Sequence, residues 1–362
     1  MTKVTDLLHQ MGQSLWLDNI TRELLDSGTL QRYIAELAVT GLTSNPSIFN
    51  QAIKNSNFYD AAIARKVKEG QTGEALFFEL AIEDLTRAAD LFRPIHERTN
   101  GVDGYVSLEV SPRLAYDTQS TLAAAQHLHA QANRPNLFIK IPGTREGLPA
   151  IEEAIFAGIP INVTLLFSRE HYLAAADAYL RGVERRVEAG LNPRVESVAS
   201  VFISRWDGAV AEKIPTEFRN KLGIAIAGRT YKAYCDLLAS DRWHRLANYG
   251  AHAQRLLWAS TSTKHDPGAS DDLYVRALAA PYTVNTMPEQ TLLSFADHGT
   301  LGPVLSPVAG DAEELLRKIA QIGIDVDALA AQLQQAGAAA FVKSWDELMT
   351  VLDAKAKAQL AK

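Results

Sequence analysis

Residues 137–167 read LFIKIPGTREGLPAIEEAIFAGIPINVTLLF, and their pattern is the clearest indication of the fold in the sequence. Two short runs rich in apolar and β-branched residues, Leu137–Ile141 and Ile161–Phe167, enclose a segment with helical periodicity, Leu148–Ala157. Thr144 provides a start signal ahead of that helix. A strand, a helix and a second strand within about 30 residues predict a βαβ unit with two parallel strands.

The same alternation continues along the chain and predicts eight strands. They are expected at Ser14–Asn19, Gly41–Ser44, Gly104–Val110, Leu137–Ile141, Ile161–Phe167, Ser197–Ser204, Arg255–Thr261 and Tyr282–Thr286. Helical segments separate the strands, and two helices are expected between the second and the third. Eight such units fit a (β/α)8 or TIM barrel, which usually takes about 250 residues. The rival is a doubly wound open sheet, but the sequence lacks the G-x-G and G-x-x-x-x-G-K-S/T phosphate motifs expected there.

The predicted α/β barrel occupies residues 1–303, and its surplus length before Gly104 accommodates extra helices. Residues 304–362 are predicted to form a helical C-terminal extension with turns near Gly323 and Gly337. Within it, Ala328–Phe341 has the pattern of an amphipathic helix, which we expect to pack on the barrel. The extension could cap the barrel or provide the contact of a homodimer.

Composition limits the class of protein. Of the 362 residues, 47% are hydrophobic and 22% are charged, which is typical of a globular chain. The formal net charge of −6 argues against a nucleic-acid partner, which usually requires a basic surface. The single cysteine, Cys235, excludes an intramolecular disulfide and a multi-cysteine metal site, and we expect a small buried side chain in a helix. Since no signal peptide or membrane-spanning run is apparent, we expect a cytoplasmic protein without a membrane partner.

Polar residues recur at the carboxyl end of every predicted strand, where the active site of a barrel enzyme lies. In chain order they are Asp18, Thr43, Asn45, Glu109, Lys140, Asn162, Thr164, Ser204, Ser260, Ser262 and Asn285. One amine and two carboxylates in such a ring are a set capable of acid–base chemistry. The zinc-protease motif H-E-x-x-H and the serine-hydrolase motif G-x-S-x-G are both absent from the sequence.

Lys140 is the most informative residue of this ring. It alternates with Ile139 and Ile141, so its side chain points into the barrel if theirs point outward. Burial lowers the pKa of an amine, and a neutral amine is the nucleophile that a Schiff-base enzyme needs. In the alternatives, Lys140 reaches solvent or forms a structural ion pair with Glu109.

Simpler roles are also open for other members of the ring. Asp18 could cap a following helix, and Asn45 with Pro46 could form only a turn. Thr164 could be an ordinary β-branched strand residue.

Six motifs in the chain resemble those of the transaldolase family and stand in the family's order. They are Leu15–Asp18 (LWLD), Gly41–Ser47 (GLTSNPS), Val106–Val110 (VSLEV), Ile139–Pro142 (IKIP), Ile161–Ser168 (INVTLLFS) and Val201–Ser204 (VFIS). The likeness extends from about residue 13 to about residue 290 and is greatest to the longer bacterial transaldolases with a helical C-terminal extension. It implies a class I aldolase barrel that uses neither a metal nor another cofactor.

The resemblance implies four catalytic roles. Lys140 resembles the lysine that forms a Schiff base with the C2 ketone of a ketose phosphate. Asp18 is similar to the general base that takes the C4-hydroxyl proton as the C3–C4 bond breaks. Glu109 and Thr164 look like the pair that positions a water and moves protons while the Schiff base forms.

The resemblance also implies a substrate. Asn45, Asn162 and Ser204 match residues that bind the dihydroxyacetone unit, and Thr43 matches the motif residue beside Asn45. The implied reaction belongs to the non-oxidative pentose phosphate pathway. A dihydroxyacetone unit passes from sedoheptulose 7-phosphate to glyceraldehyde 3-phosphate, and the products are erythrose 4-phosphate and fructose 6-phosphate.

The expected phosphate site departs from the family pattern. After Ser204 the chain continues with Arg205-Trp206-Asp207, and the seventh strand runs into Ser260-Thr261-Ser262-Thr263-Lys264. We expect Arg205, Ser260 and Lys264 to hold the phosphate, because barrel phosphate sites often draw on the loops near strands seven and eight. In the alternative, Arg205 pairs with Asp207 or another neighbour.

Two other functions stay open on the sequence alone. A fructose-6-phosphate aldolase would use the same lysine but release free dihydroxyacetone, and an aromatic residue near the site, such as Trp206, bears on that choice. A sugar-phosphate-binding barrel without catalysis is the other alternative. It would not need the acid–base set formed by Asp18, Glu109, Lys140 and Thr164.

Overall fold

The computed structural model describes residues 3–360, and within them eight parallel strands close into a barrel in chain order. The strands are β1 (Gln13–Leu17), β2 (Val39–Leu42), β3 (Val106–Glu109), β4 (Leu137–Pro142), β5 (Ile161–Leu166), β6 (Ser197–Phe202), β7 (Arg255–Ala259) and β8 (Thr283–Met287). Every predicted strand boundary lies within two residues of the observed one. The predicted TIM barrel is therefore confirmed.

Helices follow the strands and surround the barrel. They are α1 (Val4–Gln10), α2 (Arg22–Asp26), α3 (Thr29–Glu36), α4 (Pro46–Lys54), α5 (Asp60–Lys68), α6 (Gly73–Arg98), α7 (Thr118–Ala132), α8 (Gly147–Phe156), α9 (Arg169–Glu188), α10 (Ser204–Val210), α11 (Leu222–Leu238), α12 (Asp241–Asn248), α13 (Leu273–Ala277), α14 (Glu289–His298), α15 (Ala312–Gln321) and α16 (Val326–Leu360). None of these helices is both long and apolar enough to cross a bilayer.

The βαβ unit of residues 137–167 forms as its sequence predicts. The Thr144 hydroxyl accepts a hydrogen bond at 3.0 Å from the backbone N–H of Gly147, the first residue of α8, and so satisfies a donor that the helix itself leaves free. Ile151 and Ile155 on α8 are fully buried. The strands on either side of α8 are buried along their whole length, as expected for strands covered on both faces.

Two expectations about helices are wrong. Three helices, α4, α5 and α6, lie between β2 and β3 instead of two. The chain breaks between α4 and α5 because fully buried Tyr59 anchors it there, with its hydroxyl donating to Asp84 Oδ2 at 2.8 Å. Cys235 lies on α11 as expected, but its side chain is half-buried and not part of the fully buried core.

The C-terminal extension contains α15 and one 35-residue helix, α16, which continues through Gly337 without the predicted turn. The glycine serves close packing there, because a Cβ atom on Gly337 would lie 2.9 Å from Leu165 Cδ2 at the end of β5. Helix α16 packs on α4, α5 and α6 and also contacts β5. The division into residues 1–303 and 304–362 stays a prediction, and the outermost two residues at each end lie outside the described part.

Candidate active site

A cavity of about 560 Å³ opens at the carboxyl ends of the strands, where the sequence predicts the active site. Most of the predicted site residues line it: Asp18, Thr43, Asn45, Lys140, Thr164, Ser204, Arg205, Ser260 and Lys264. Two predicted residues, Glu109 and Asn162, do not line the cavity and are buried beneath its surface.

Lys140, at the floor of the cavity, forms an ion pair with Glu109, which does not line it. They are directly paired across β3 and β4, and Lys140 Nζ lies 3.4 Å from Glu109 Oε2. The amine also donates a hydrogen bond to the Ser44 carbonyl at 2.9 Å. Since only 7% of the Lys140 side chain is exposed, the alternative in which it reaches bulk solvent is wrong. The ion pair with Glu109 exists, and Lys140 still contributes to the cavity wall.

Glu109 and Thr164 have hydrogen-bonding capacity that the fold does not use. Among residues 3–360, no hydrogen-bond partner is present for either carboxylate oxygen of Glu109 or for the Thr164 hydroxyl, and all three atoms are buried. Burial raises the pKa of Glu109, and nearby Lys140 opposes that rise by stabilising the carboxylate. A buried carboxyl group balanced in this way can hold or release a proton beside the amine.

Asp18 faces Lys140 from the end of β1. The Thr43 hydroxyl donates to Asp18 Oδ1 at 2.7 Å, and because it has one proton it accepts from the Thr286 hydroxyl at the same distance. Burial raises the pKa of Asp18, against the opposing effects of the Lys140 charge, the Thr43 hydrogen bond and the Lys264 charge. The helix-capping alternative for Asp18 is wrong, since Thr21 caps α2.

Asn45 and Asn162 differ in their placement. Asn45 lines the cavity, and its Oδ1 accepts from the Ile48 N–H at 3.1 Å to cap α4. It therefore combines a local structural role with a position in the site. Asn162 is fully buried, where its Nδ2 donates to Ser107 Oγ at 3.1 Å and its Oδ1 accepts from Ser200 Oγ at 2.7 Å. The structure brings Ser200, and not Asn162, to the cavity surface.

Sequence reasoning missed several residues of the cavity wall. Ser200 and Phe202 lie two residues apart on β6 and share a face of that strand, so strand alternation could have identified them. Leu333 and Phe341 come from α16, and no local pattern places them at this site. Other residues of the wall outside the prediction are Ser47, Gly208, Ala209, Ala259, His265, Thr286 and Pro288.

The mouth of the cavity holds the predicted phosphate residues. Ser204 and Ser260 are hydrogen-bonded through their hydroxyls at 2.8 Å, and exposed Arg205 and Lys264 lie along the same wall. Within residues 3–360 neither cation forms an ion pair. The alternative in which Arg205 pairs with Asp207 is wrong, because buried Asp207 accepts hydrogen bonds from Tyr274 and from the start of α11.

The site carries an amine, two carboxyl groups and hydroxyls, and no cluster of three or more His, Cys, Asp or Glu side chains in the described residues could hold a metal ion. The family model described as "Transaldolase/Fructose-6-phosphate aldolase" matches residues 15–352 of this sequence. The chain belongs to the transaldolase/fructose-6-phosphate aldolase family.

Relatives from this family resemble the chain over almost its full length. A transaldolase of Thermobifida fusca is 45% identical over 351 residues, covering 94% of this chain and 95% of the relative. Transaldolases of Saccharopolyspora erythraea and Arthrobacter sp. are 44% and 43% identical, with at least 95% of both sequences covered. The family match extends through most of α16.

Proposed function

We propose that the chain is a transaldolase that moves a dihydroxyacetone unit between sugar phosphates through a Schiff base on Lys140. The observation that supports this most strongly is the buried Lys140 amine, 3.4 Å from the Glu109 carboxylate and in the same cavity as Asp18. The donor would be sedoheptulose 7-phosphate or fructose 6-phosphate, and the acceptor an aldose phosphate, within the non-oxidative pentose phosphate pathway.

In the proposed first half-reaction, the Lys140 amine adds to the C2 carbonyl of the ketose and forms a carbinolamine. Loss of water then gives an iminium, so a proton must leave nitrogen and another must reach the departing oxygen. Glu109 and Thr164 are the groups proposed to move these protons. Their positions support this role, since Glu109 contacts the amine and the Thr164 hydroxyl has no competing partner in the described structure.

Asp18 is proposed to take the proton of the C4 hydroxyl as the C3–C4 bond breaks. The electron pair of that bond passes to the iminium nitrogen, which leaves an enamine on Lys140 and a free aldose phosphate. The incoming acceptor aldehyde is attacked by the enamine carbon, and Asp18 returns the proton to the new hydroxyl. The hydrogen bond from Thr43 fixes the orientation of the Asp18 carboxylate for both transfers.

Substrate binding is proposed to divide between the floor and the mouth of the cavity. Thr43, Asn45 and Ser204 would contact the dihydroxyacetone unit. Asn162 would act through Ser200, to which it is hydrogen-bonded. At the mouth, Arg205, Ser260 and Lys264 would bind the phosphate, since a dianion is best matched by charged and hydroxyl donors.

An aldolase of the same family would protonate the enamine and release free dihydroxyacetone. Besides the His265 imidazole, whose pKa is lowered by burial, the aromatic rings in the cavity wall are Phe202 and Phe341, which have no hydroxyl to supply a proton. The Trp206 indole, by contrast, is fully buried outside the wall and donates to the Phe167 carbonyl at 2.9 Å. These contacts favour transfer over release. The cytoplasmic location and the homodimer stay predictions.

Borohydride trapping tests the proposal. The enzyme is incubated with fructose 6-phosphate and reduced, and the adduct is then located by mass spectrometry. A dihydroxyacetone-derived mass on Lys140 is expected, and erythrose 4-phosphate added before reduction should discharge it into sedoheptulose 7-phosphate. Free dihydroxyacetone as the main product would indicate an aldolase. No adduct, with a known aldolase trapped in parallel, would indicate a binding protein.

A further inference from the structure

One glutamine of the C-terminal helix reaches into the catalytic end of the barrel. Gln334 on α16 donates from Nε2 to the Gly143 carbonyl at 3.1 Å and to the Leu165 carbonyl at 3.0 Å. Carbonyl oxygens can only accept hydrogen bonds, so the amide nitrogen, and not its oxygen, must face them. Both N–H groups of the side chain are therefore used, and they connect the end of β5 with the residue that follows β4.

These two carbonyls belong to the segments that carry the catalytic side chains. Gly143 directly follows β4, the strand of Lys140, and Leu165 directly follows Thr164 on β5. The Gly143 N–H also donates to the Thr164 carbonyl at 2.7 Å. Gln334 thus joins two backbone segments that are also linked directly, through the hydrogen bond to the Thr164 carbonyl.

The backbone at Leu165 needs such support. Leu165 has a φ of 59°, in the left-handed region that side-chain-bearing residues rarely adopt, and the pairing of β5 with β6 shifts register between Val163 and Leu166. Bulges of this kind redirect a neighbouring side chain, and strained backbone persists only where surrounding contacts hold it. The close approach of Gly337 to Leu165, one turn beyond Gln334, brings α16 near enough to do so.

We infer that Gln334 is a positioning residue that holds the bulge after Thr164 and so fixes the direction of the Thr164 hydroxyl in the cavity that it shares with Lys140. This inference rests on the proposed function, because it assigns Gln334 to the proton transfers of Schiff-base formation. It makes the C-terminal helix part of the catalytic apparatus without any direct contact to substrate.

The test compares Gln334→Met, which keeps the side-chain length but removes both donors, with Gln335→Met as the matched control. Gln335 is the next residue on α16 and is exposed. A small displacement of a catalytic group costs up to about 100-fold in rate, so we expect Gln334→Met to slow adduct formation and kcat about tenfold. The KM for fructose 6-phosphate should change little, and Gln335→Met should match the wild type. Gln334→Glu should be slower still, because a carboxylate would face two carbonyl oxygens.

A double-mutant cycle separates positioning from general structural support. If Gln334 acts through Thr164, then adding Gln334→Met to Thr164→Ala should cause little further loss. Equal losses in both backgrounds would overturn the inference, and so would wild-type trapping rates in Gln334→Met. If the methionine variant does not fold, Gln334→Asn retains the amide one methylene shorter and should fold but trap slowly. An absent Lys140 adduct in the wild type would instead count against the proposed function.

Discussion

The floor and the mouth of the cavity hold their charges in different ways. At the floor, Lys140 and Glu109 are buried and paired, and burial raises the pKa of both Glu109 and Asp18. At the mouth, Arg205 and Lys264 are exposed and have no ion-pair partner in the described part of the chain. Solvent and salt screen exposed charges strongly and buried ones weakly.

This difference predicts a division of labour. Charges at the floor act on one another: the Lys140 charge lowers the pKa of both Asp18 and Glu109 against the effect of burial, whereas the Asp18 charge raises the pKa of Glu109. Charges at the mouth are independent and can attract an anion at little cost to the fold. Substitutions at the floor should therefore reduce kcat, whereas substitutions at the mouth should raise KM. Each of the following experiments tests that contrast.

The largest effect is expected from Lys140→Met. It removes the nucleophile and leaves the buried Glu109 carboxylate without its cation, so turnover should fall to background, on the order of 10⁶-fold as for other covalent nucleophiles. The measurement is kcat with fructose 6-phosphate and erythrose 4-phosphate, together with borohydride trapping. Appreciable turnover, or an adduct on another lysine, would show that Lys140 is not the residue that forms the Schiff base.

The next largest effect is expected from Asp18→Asn. The amide keeps the shape of the carboxylate and an acceptor oxygen for the Thr43 hydroxyl, so only the base is lost. Removal of a general base usually costs about 10²–10⁴ in kcat. Trapping of the intact ketose on Lys140 should continue, because Schiff-base formation precedes the step assigned to Asp18. Loss of trapping together with turnover would show that Asp18 is needed for attack itself.

The floor was also the more predictable region from sequence. Lys140 lies near the end of β4 and Asp18 directly follows β1, and both strands lie within two residues of prediction. The alternating pattern of β4 gives the direction of the Lys140 side chain. Asn162 shows the limit of that reasoning. Alternation gives the face of a strand, but it does not give the depth within the barrel, and Asn162 lies below Ser200.

The mouth and the wall were less predictable for physical reasons. Proximity in sequence suggests Asp207 as a partner for Arg205. In the structure, however, α10 directs Asp207 inward, where it accepts hydrogen bonds from the start of α11. Leu333 and Phe341 reach the cavity only because α16 crosses the end of β5, about 170 residues away in sequence. Contacts of that range depend on how whole elements pack, which a local pattern does not contain.

A smaller effect is expected from Lys264→Ala. One charge-assisted hydrogen bond to phosphate contributes about 1.5–3 kcal/mol, so KM for fructose 6-phosphate should rise about 10- to 100-fold. The kcat should stay near the wild-type value, and KM for unphosphorylated dihydroxyacetone should not change. Arg205→Ala should act in the same direction. Unchanged KM values for the phosphorylated substrates in both variants would show that the phosphate binds elsewhere.

The smallest effect is expected in the pH dependence of kcat/KM, through which Lys264 at the mouth acts on Asp18 at the floor. Asp18 must be ionised to act as a base, so kcat/KM should fall as the pH falls through its raised pKa. Besides Lys140 and Thr43, the positive charge of Lys264 opposes the effect of burial and lowers the pKa of Asp18. Removing that charge in Lys264→Gln should therefore raise the pKa of Asp18 further and move the acid limb of kcat/KM to higher pH.

The shift in Lys264→Gln should be a fraction of a pH unit, because Lys264 is exposed and its charge is screened. High salt should move the acid limb of the wild type in the same direction, since it weakens the same interaction. The variant has already lost that interaction and should respond less to salt. If the acid limb of the variant stays in place or moves to lower pH, the Lys264 charge at the mouth does not affect the pKa of Asp18 at the floor, and the two regions act independently.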